Sequence, residues 1–524
     1  MATELSGDMA VEDDKGTAIR RQIAIGTAAN YAGRVINLAV WFILTPIIYR
    51  DLGSTEAGLW ALVAAFLAYG SLADLGIGQA VTKYVAEYRA RGDNETASEL
   101  IATAMRLYCA LGLLVLVAGA IIAPFVPDLI NVKAGEHSTA SWLVVITAGA
   151  VAVQLPSNCA IAVLRGLNRY DLMNNIGSLA IVSIGVGIAV VLALSGKVLA
   201  ITVLAIPMTV IWILPTIWLI HRTAPELRVG LRGARRVHAR RVLLFSSALF
   251  GIQSAQVVKL QSDEIVIGAG LAVGRVFPYS VARRLSTLPS QLTNQFVVVL
   301  LPMASRLHAE GDAELLREIY LAGLRLTIAL FAIIGGALVI FARPFLLAWV
   351  PSVAGSADIV VLLTFAALLE ALISPVSQAL QGMNRHQPLV VFALGSAALN
   401  LGLSIALIGP LGVRGVAIGT LAATALEAVI VLPFGARVIG VRTFEVMRRV
   451  VLPGVLPLVP MVAVLIAIRS ALAPSTIVTI ALAGLAGAIV YAACFLALPG
   501  TEGERAIAGR VLAGTGRLWS GLRG

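Results

Sequence analysis

The sequence predicts an all-α polytopic membrane protein with about fourteen transmembrane helices, arranged as two six-helix lobes and two extra C-terminal helices. Of its 524 residues, 59% are hydrophobic and 13% charged, whereas soluble chains are about half apolar and about a quarter charged. Apolar runs of roughly twenty residues, enough to cross a bilayer core, follow one another with short polar gaps. An octapeptide recurs in corresponding places, which predicts that the helices form two copies of one unit.

Hydropathy and loop charge predict the spans and their orientation. Arginine and lysine are concentrated in alternate loops, which predicts that these loops and both termini are cytoplasmic. The opposite loops are short throughout and leave no room for a large outer domain. The predicted spans are 24–48, 57–79, 100–126, 141–164, 174–195, 199–221, 242–269, 280–302, 319–342, 357–380, 388–409, 413–436, 451–470 and 475–498.

The recurring octapeptide is "LRGLNRYD" (164–171) and "LQGMNRHQ" (380–387), and each copy lies between two apolar runs. Its glycines, Gly166 and Gly382, are expected to form the turn that follows a helix. Arg106 and Arg325, and also Asp93 and Asp312, recur at an offset of 219 residues. Helices one to six and seven to twelve are therefore predicted to be parallel repeats, which in transporters commonly bind substrate between the halves.

The repeat and the loop composition together divide the chain into six segments. They are an acidic cytosolic tail (1–22), an N-lobe (23–221), a basic inter-lobe loop (222–241), a C-lobe (242–438), helices thirteen and fourteen (439–498) and a basic cytosolic tail (499–524).

Polar side chains recur inside helices one and seven. Asn30, Arg34 and Asn37 share one face of helix one at spacings of four and three residues. Helix seven has a similar stripe of Gln253, Gln256, Lys259 and Asp263, followed by Glu264. Ionisable groups in a membrane span are costly unless they face a cavity or a partner. The matched stripes favour one shared central cavity, although intramembrane ion pairs or packing hydrogen bonds would also account for them.

Further polar groups extend this candidate site. Arginine suits an anionic ligand, because its guanidinium holds phosphate oxygens in a bidentate fork. Buried carboxylates suit either neutralisation of Lys259 or coupling to an ion. The predicted substrate-binding residues are Asn30, Arg34, Asn37, Gln256, Lys259, Arg283, Arg284 and Asn294. The predicted ion-coupling residues are Asp74, Asp263, Glu264 and Glu370.

Several other functions are disfavoured. The net charge of +11 is explained by the cytoplasmic loops rather than by nucleic-acid binding. No phosphate-binding GxxxxGK[ST] loop or HExxH motif occurs. The three cysteines, Cys109, Cys159 and Cys494, lie in apolar runs and suggest neither disulfides nor a metal site. We therefore expect no metal, no cofactor and no enzymatic activity.

Three stretches resemble a known family: "YRDLGSTEAGLWAL" (49–62), "ADLGIGQAVTKYVAEYRARGD" (73–93) and "LRGLNRYDLMNN" (164–175). They resemble Wzx-type polysaccharide biosynthesis proteins, the oligosaccharide flippases of the multidrug/oligosaccharidyl-lipid/polysaccharide exporter superfamily. The lipid II flippase MurJ and the MATE exporters are more distant relatives. The resemblance extends over about residues 20–498.

This resemblance implies two six-helix lobes whose helices one and seven line a cavity. It also implies an oligosaccharide substrate linked through pyrophosphate to a polyprenol, moved across the bacterial cytoplasmic membrane by alternating access. Cavity arginines would hold the pyrophosphate, and Arg34, Arg283 and Arg284 lie on comparable helices. Glycosyltransferases or a glycan polymerase would be partners. The chain differs from MurJ in helix two, which has Asp74 and no mid-helix arginine.

Two other functions remain open from the sequence. A MATE-like, ion-coupled multidrug exporter would need carboxylates and aromatic side chains for cationic drugs, whereas these stripes are richer in arginine, lysine and amides. A membrane glycan polymerase or ligase would usually need acidic or histidine catalysts on a sizeable loop. The identity of the glycan, the coupling ion and the oligomeric state are not encoded in any motif.

Overall fold

The structure is a computed structural model that describes residues 2–130, 132 and 134–498. Side chains are described from Gly33 onward, except those of residues 71, 134, 245, 247–253, 255, 256, 260, 295 and 443. The predicted tails, 1–22 and 499–524, lie outside the residues whose side chains are described, so they stay predictions. The described residues form helices and short connections, with no β-strand among them.

In the part of the chain that the structure describes, eighteen α-helices follow one another. The first eight are α1 (Ala2–Gly70), α2 (Ile77–Ala90), α3 (Asn94–Ile122), α4 (Val126–Leu129), α5 (His137–Gly166), α6 (Tyr170–Ser195), α7 (Val198–Thr223) and α8 (Arg236–Gly270). The others are α9 (Val276–Val297), α10 (Leu300–Glu310), α11 (Ala313–Trp349), α12 (Ala357–Gly382), α13 (Gln387–Leu411), α14 (Val413–Ile439), α15 (Thr443–Val446), α16 (Leu452–Val455), α17 (Leu458–Leu472) and α18 (Ile477–Ala497).

Among the described residues, eleven helical segments are long and apolar enough to cross a membrane, which makes the chain a multi-pass membrane protein. One of them, Gly33–Asp74, covers most of the first and most of the second predicted span, and α1 is interrupted between them by a non-helical residue, Gly53, whose φ is 70°. The predicted spans seven and eight coincide with α8 and α9. Both are helical and carry polar side chains of the candidate site.

The chain divides into two compact units, residues 1–277 and 278–524. Helix α8 therefore packs with the first unit. The core of this unit is formed where α2, α3 and α5 meet, around the fully buried side chains of Tyr108, Leu155 and Leu164. The core of the second unit lies where α10, α11, α12 and α14 meet. The predicted lobes, 23–221 and 242–438, describe the repeat rather than this packing division and stay a prediction.

The two units contain the same local contacts at matched positions. The side chain of Asp93 caps α3 by accepting a hydrogen bond from the Thr96 amide, 3.0 Å away. Asp312 caps α11 in the same way through the Leu315 amide, also at 3.0 Å. Such caps satisfy amides that have no partner inside the helix. The sequence offset of 219 residues therefore marks a structural repeat.

The octapeptide forms the same turn twice, but its glycines have a different role from the predicted one. The left-handed residues are Asn168 and Asn384, both with φ of 56°, and asparagine tolerates this conformation better than most residues. Gly166 and Gly382 end α5 and α12 in close contact with a neighbouring helix. A Cβ at Gly166 would lie 2.9 Å from the Thr82 carbonyl oxygen, and one at Gly382 2.6 Å from that of Leu301. The glycines thus permit helix packing, and the asparagines make the turn.

A break in the helix also recurs. In the first unit, α1 and α2 are separated by a 3-10 turn over Ser71–Asp74 and by two left-handed residues, Leu75 and Gly76. In the second, α9 ends at Val297 and α10 begins at Leu300. Broken helices in membrane proteins occur where the freed backbone groups find other partners, often near a binding site.

Candidate functional site

Helix α8 places three ionisable side chains in the protein interior. Lys259 is 8% exposed, Asp263 1% and Glu264 2%. Lys259 and Asp263 are one helical turn apart and lie on the same face. Burying a charge costs several kcal/mol unless neighbouring groups compensate, so such clusters in membrane proteins usually have a function. The two carboxylates outnumber the ammonium group, and the cluster is acidic when all three are ionised.

The environment of this cluster comes from the second half of α1. Leu62 packs against Gly268, one turn beyond Glu264. Further along α1, the half-buried Tyr69 interacts electrostatically with both Asp263 and Glu264. The predicted ion-coupling pair on α8 therefore lies near the second half of α1.

The polar stripe on α1 has a different environment. The side chains of Arg34 and Asn37 are exposed. Those of Asn30 and Gln256 lie outside the described side chains. In the part of the stripe that the structure describes, an arginine and an amide are thus accessible on one helix face, as a site for an anion and for sugar hydroxyl groups requires.

Asp74 is held at the helix break. Its carboxylate Oδ1 accepts hydrogen bonds from the Tyr108 hydroxyl, 2.9 Å away, and from the Gly78 amide, 3.0 Å away. Tyr108 is fully buried, so its hydroxyl depends on this acceptor. Asp74 thus fastens the start of α2 to α3, which is a structural role that the sequence did not reveal. Its predicted role in ion coupling stays a proposal.

In the second unit the polar residues lie on α9 and α12. Arg283 and Asn294 are half-buried, and Arg284 is exposed. The Ser290 hydroxyl donates to the carbonyl oxygen of Ala367, 3.2 Å away. This bond joins α9 to α12 one turn before Asn294 and Glu370, respectively. The amide oxygen of Asn294 is buried and has no hydrogen-bond partner in the described part of the chain.

A buried polar network on α13 and α14 was missed from the sequence. The amide oxygen of Asn400 accepts hydrogen bonds from the hydroxyls of Ser404 and Thr420, at 3.3 and 3.2 Å. Asn400 and Ser404 are fully buried. Their spacing of four residues is a helix-face signal, but uncharged side chains in an apolar run attract little notice. Among the described residues, no group of three or more His, Cys, Asp or Glu is placed to hold a metal ion.

Comparison with known proteins fixes the family. The model of the family described as "Polysaccharide biosynthesis protein" matches residues 23–308, more than half of the chain. The chain belongs to this family. No curated protein matches it.

Comparison with solved structures shows the fold of the chain. The chain is similar to "Lipid II flippase MurJ, inward closed conformation", with 13% identity and a TM-score of 0.72, over 90% of this chain and 99% of that one. It is also similar to a multidrug resistance MATE family transporter of the MOP superfamily in an inward-facing conformation, with 18% identity and a TM-score of 0.63, over 78% and 98%. A MOP superfamily transporter from Pyrococcus furiosus matches with 16% identity and a TM-score of 0.55, over 79% and 95%.

The family member thus has the fold that these flippases and exporters share. This agrees with the expected all-α fold of two six-helix copies and two extra helices. At these identities the likeness concerns the fold, so the substrate has to be inferred from the family and from the chain's own residues.

Proposed function

We propose that the protein is a flippase that moves a polyprenyl-pyrophosphate-linked oligosaccharide across the bacterial cytoplasmic membrane by alternating access, for assembly of a cell-surface polysaccharide. The proposal rests on family membership, the fold and the position of the arginines, taken together. A member of the polysaccharide biosynthesis family has the fold of a lipid II flippase, and it carries accessible and half-buried arginines on polar helices. Both termini would be cytoplasmic, as the loop charges predict.

The residues divide into two roles. Arg34, Arg283 and Arg284 would bind the pyrophosphate, because guanidinium groups match phosphate oxygens in charge and geometry. Amides would bind sugar hydroxyls, as they both donate and accept hydrogen bonds; the candidates are Asn30, Asn37, Gln256 and Asn294. Lys259 would either bind the anion or balance the acids beside it. The candidates for coupling to an ion gradient are Asp74, Asp263, Glu264 and Glu370.

Substitution of the arginines tests the first role. Arg34→Ala and Arg283→Ala should each reduce export of the cognate glycan at unchanged protein level, and the double variant should abolish it. An arginine–phosphate hydrogen bond contributes about 1.5–3 kcal/mol, so each loss corresponds to roughly ten-fold or more. Glycan export is measured in a null strain that expresses each variant.

Arg306→Ala is the matched control. Arg306 lies on α10, is largely exposed and forms an ion pair with Glu310 at 2.8 Å. Its removal deletes one arginine outside the predicted site and should leave export unchanged. Full export by the Arg34/Arg283 double variant would refute the arginine assignment.

A second function has one observation in its favour. The buried carboxylates Asp263 and Glu264 give α8 an acidic character, which suits a cationic drug, and the chain has the fold of MATE transporters. Under this alternative, a null strain would become sensitive to cationic drugs and would export its glycan normally. Loss of the glycan without a change in drug sensitivity supports the flippase.

A further inference from the structure

Each repeat is followed by a segment that lies across its third helix, and we call these segments straps. The first strap is residues 224–241, and the second is residues 440–451. Glu99 on α3 forms an ion pair with Arg235 of the first strap at 2.7 Å. Its counterpart on α11, Glu318, forms one with Arg449 of the second strap at 2.5 Å. Both straps are therefore fastened through matched glutamates.

Further bonds fix each strap in place. Arg106 donates from Nε to the carbonyl oxygen of Leu231, 2.7 Å away. The matched Arg325 has its Nη1 3.5 Å from the carbonyl oxygen of Arg449. Both arginines of this matched pair therefore contact strap backbone. The inner side of each strap is apolar and buried, through Ala224 and Leu227 in the first and Val441 and Val450 in the second.

The outer side of the first strap has a different composition. The strap contains six arginines and one acidic residue, Glu226. Arg232, Arg236 and Arg240 are exposed, and so are two apolar side chains, Leu231 (49%) and Val237 (72%). Arginines that alternate with exposed apolar groups are typical of segments lying in the interface of a membrane.

The second strap repeats this pattern independently. Phe444 is 75% exposed and Met447 49%, beside the exposed Arg442 and Arg448. Exposure of a phenylalanine to water would cost free energy that insertion among lipid acyl chains recovers. Two segments of unrelated sequence thus present the same chemistry at corresponding places.

Both straps adjoin segments that are long and apolar enough to cross a membrane. The first follows the end of α7, where the guanidinium of Arg222 stacks over Trp218 at 5.3 Å, and Trp218 is itself exposed. Tryptophan is enriched where a membrane meets water. The second strap overlaps the start of the candidate membrane span Phe444–Leu472. Their arginines are therefore within reach of phosphate groups.

We propose that the two straps are binding surfaces for anionic phospholipids of the leaflet that the sequence predicts to be cytoplasmic. The arginines bind the phosphate and headgroup charge, while Leu231, Val237, Phe444 and Met447 insert at the boundary with the acyl chains. Since the inner sides of the straps are fastened to α3 and α11, lipid binding anchors each copy at its third helix. This surface is separate from the transport residues proposed above.

The test uses purified full-length protein in an uncharged detergent, with phosphatidylglycerol and phosphatidylcholine as probes and binding followed by native mass spectrometry. The triple variant R232Q/R236Q/R240Q removes three outer arginines of the first strap. A basic residue near an anionic surface contributes roughly five-fold to affinity. We therefore expect at least a ten-fold loss of phosphatidylglycerol binding by the triple variant, and restoration by R232K/R236K/R240K.

The matched control is K197Q/R275Q/R343Q, which removes the same charge from exposed positions in the opposite set of loops. It should change phosphatidylglycerol binding less than about two-fold, as distant charges are screened. If the R232Q/R236Q/R240Q variant unfolds, the R442Q/R448Q variant provides the same test on the second strap. The proposal would be overturned if phosphatidylglycerol binding fell equally in the strap and control variants, or if it were unchanged in the strap variants. Equal affinity of the wild-type protein for phosphatidylcholine would also overturn it. Because the readout is binding, it is independent of whether the protein transports a glycan.

Discussion

The two six-helix copies agree in their framework and differ in their intramembrane charges. Helix caps, octapeptide turns and the glutamates that hold the straps occur at matched positions in both. The buried charges do not. At the offset of 219 residues, Lys259, Asp263 and Glu264 correspond to Val40, Leu44 and Thr45.

A second difference between the copies is the reverse case, in which the first copy carries the acidic side chain and the second does not. Asp74 and its donor Tyr108 in the first copy correspond to Thr293 and Thr327 in the second. Both threonines satisfy their hydroxyls locally, by donating to a carbonyl of their own helix at 3.0 and 2.8 Å. Each copy therefore has acidic side chains at positions where the other has uncharged ones. Because the first copy forms the equivalent helix without these charges, we propose that the charges on α8 serve transport rather than folding.

The largest expected effect separates function from stability on α8. Asp263→Asn with Glu264→Gln should abolish transport and lower stability by about 3–5 kcal/mol, since Lys259 then stays buried beside neutral side chains. Adding Lys259→Met should recover the stability but not the transport. Glycan export and thermal unfolding in detergent measure the two properties. Thr45→Val, at the uncharged counterpart of Glu264, should leave export intact. Export by the triple variant would show that these charges are structural.

An intermediate effect is expected at the helix break. Asp74→Leu leaves the Tyr108 hydroxyl without its acceptor, and a buried unsatisfied polar group costs about 1–3 kcal/mol. Asp74→Asn keeps an acceptor oxygen and should cost less than half as much. Thr293→Val, at the counterpart, should cost about 1 kcal/mol or less. Free energies of unfolding measure all three, and equal costs for Asp74→Leu and Thr293→Val would contradict the proposed role of Asp74 in joining α2 to α3.

The smallest effect compares the two octapeptide glycines. A methyl group at either position forces neighbouring helices apart, which typically costs about 1–3 kcal/mol. Gly382→Ala should cost more than Gly166→Ala, because its Cβ would be 2.6 Å rather than 2.9 Å from a backbone oxygen. Asn168→Gly should cost little, as glycine readily adopts a left-handed backbone. A reversed order, with the asparagine change the most harmful, would show that the turn matters more than the packing.

The membrane class and the repeat were predictable because hydropathy and residue offsets act over long stretches of chain. The octapeptide turn was also predictable. The separate roles of its glycines in packing and its asparagines in the turn were not, since only the structure shows that Thr82 and Leu301 approach the glycines. The partners of Asp74, Glu99 and Arg106 were out of reach for the same reason. They lie on other helices or on the straps, and no local spacing reports such contacts. The network around Asn400 was missed because it is uncharged.

The most direct test of the proposed function is translocation by the purified protein in proteoliposomes. A polyprenyl-pyrophosphate-linked oligosaccharide is placed in one leaflet, and its accessibility to a glycan-modifying enzyme is followed from the other side. The proposed function predicts translocation by the wild-type chain, loss in the Arg34→Ala/Arg283→Ala variant and retention in Arg306→Ala. Failure of the wild-type chain to move this lipid, together with uptake of a cationic drug into the same vesicles, would contradict it.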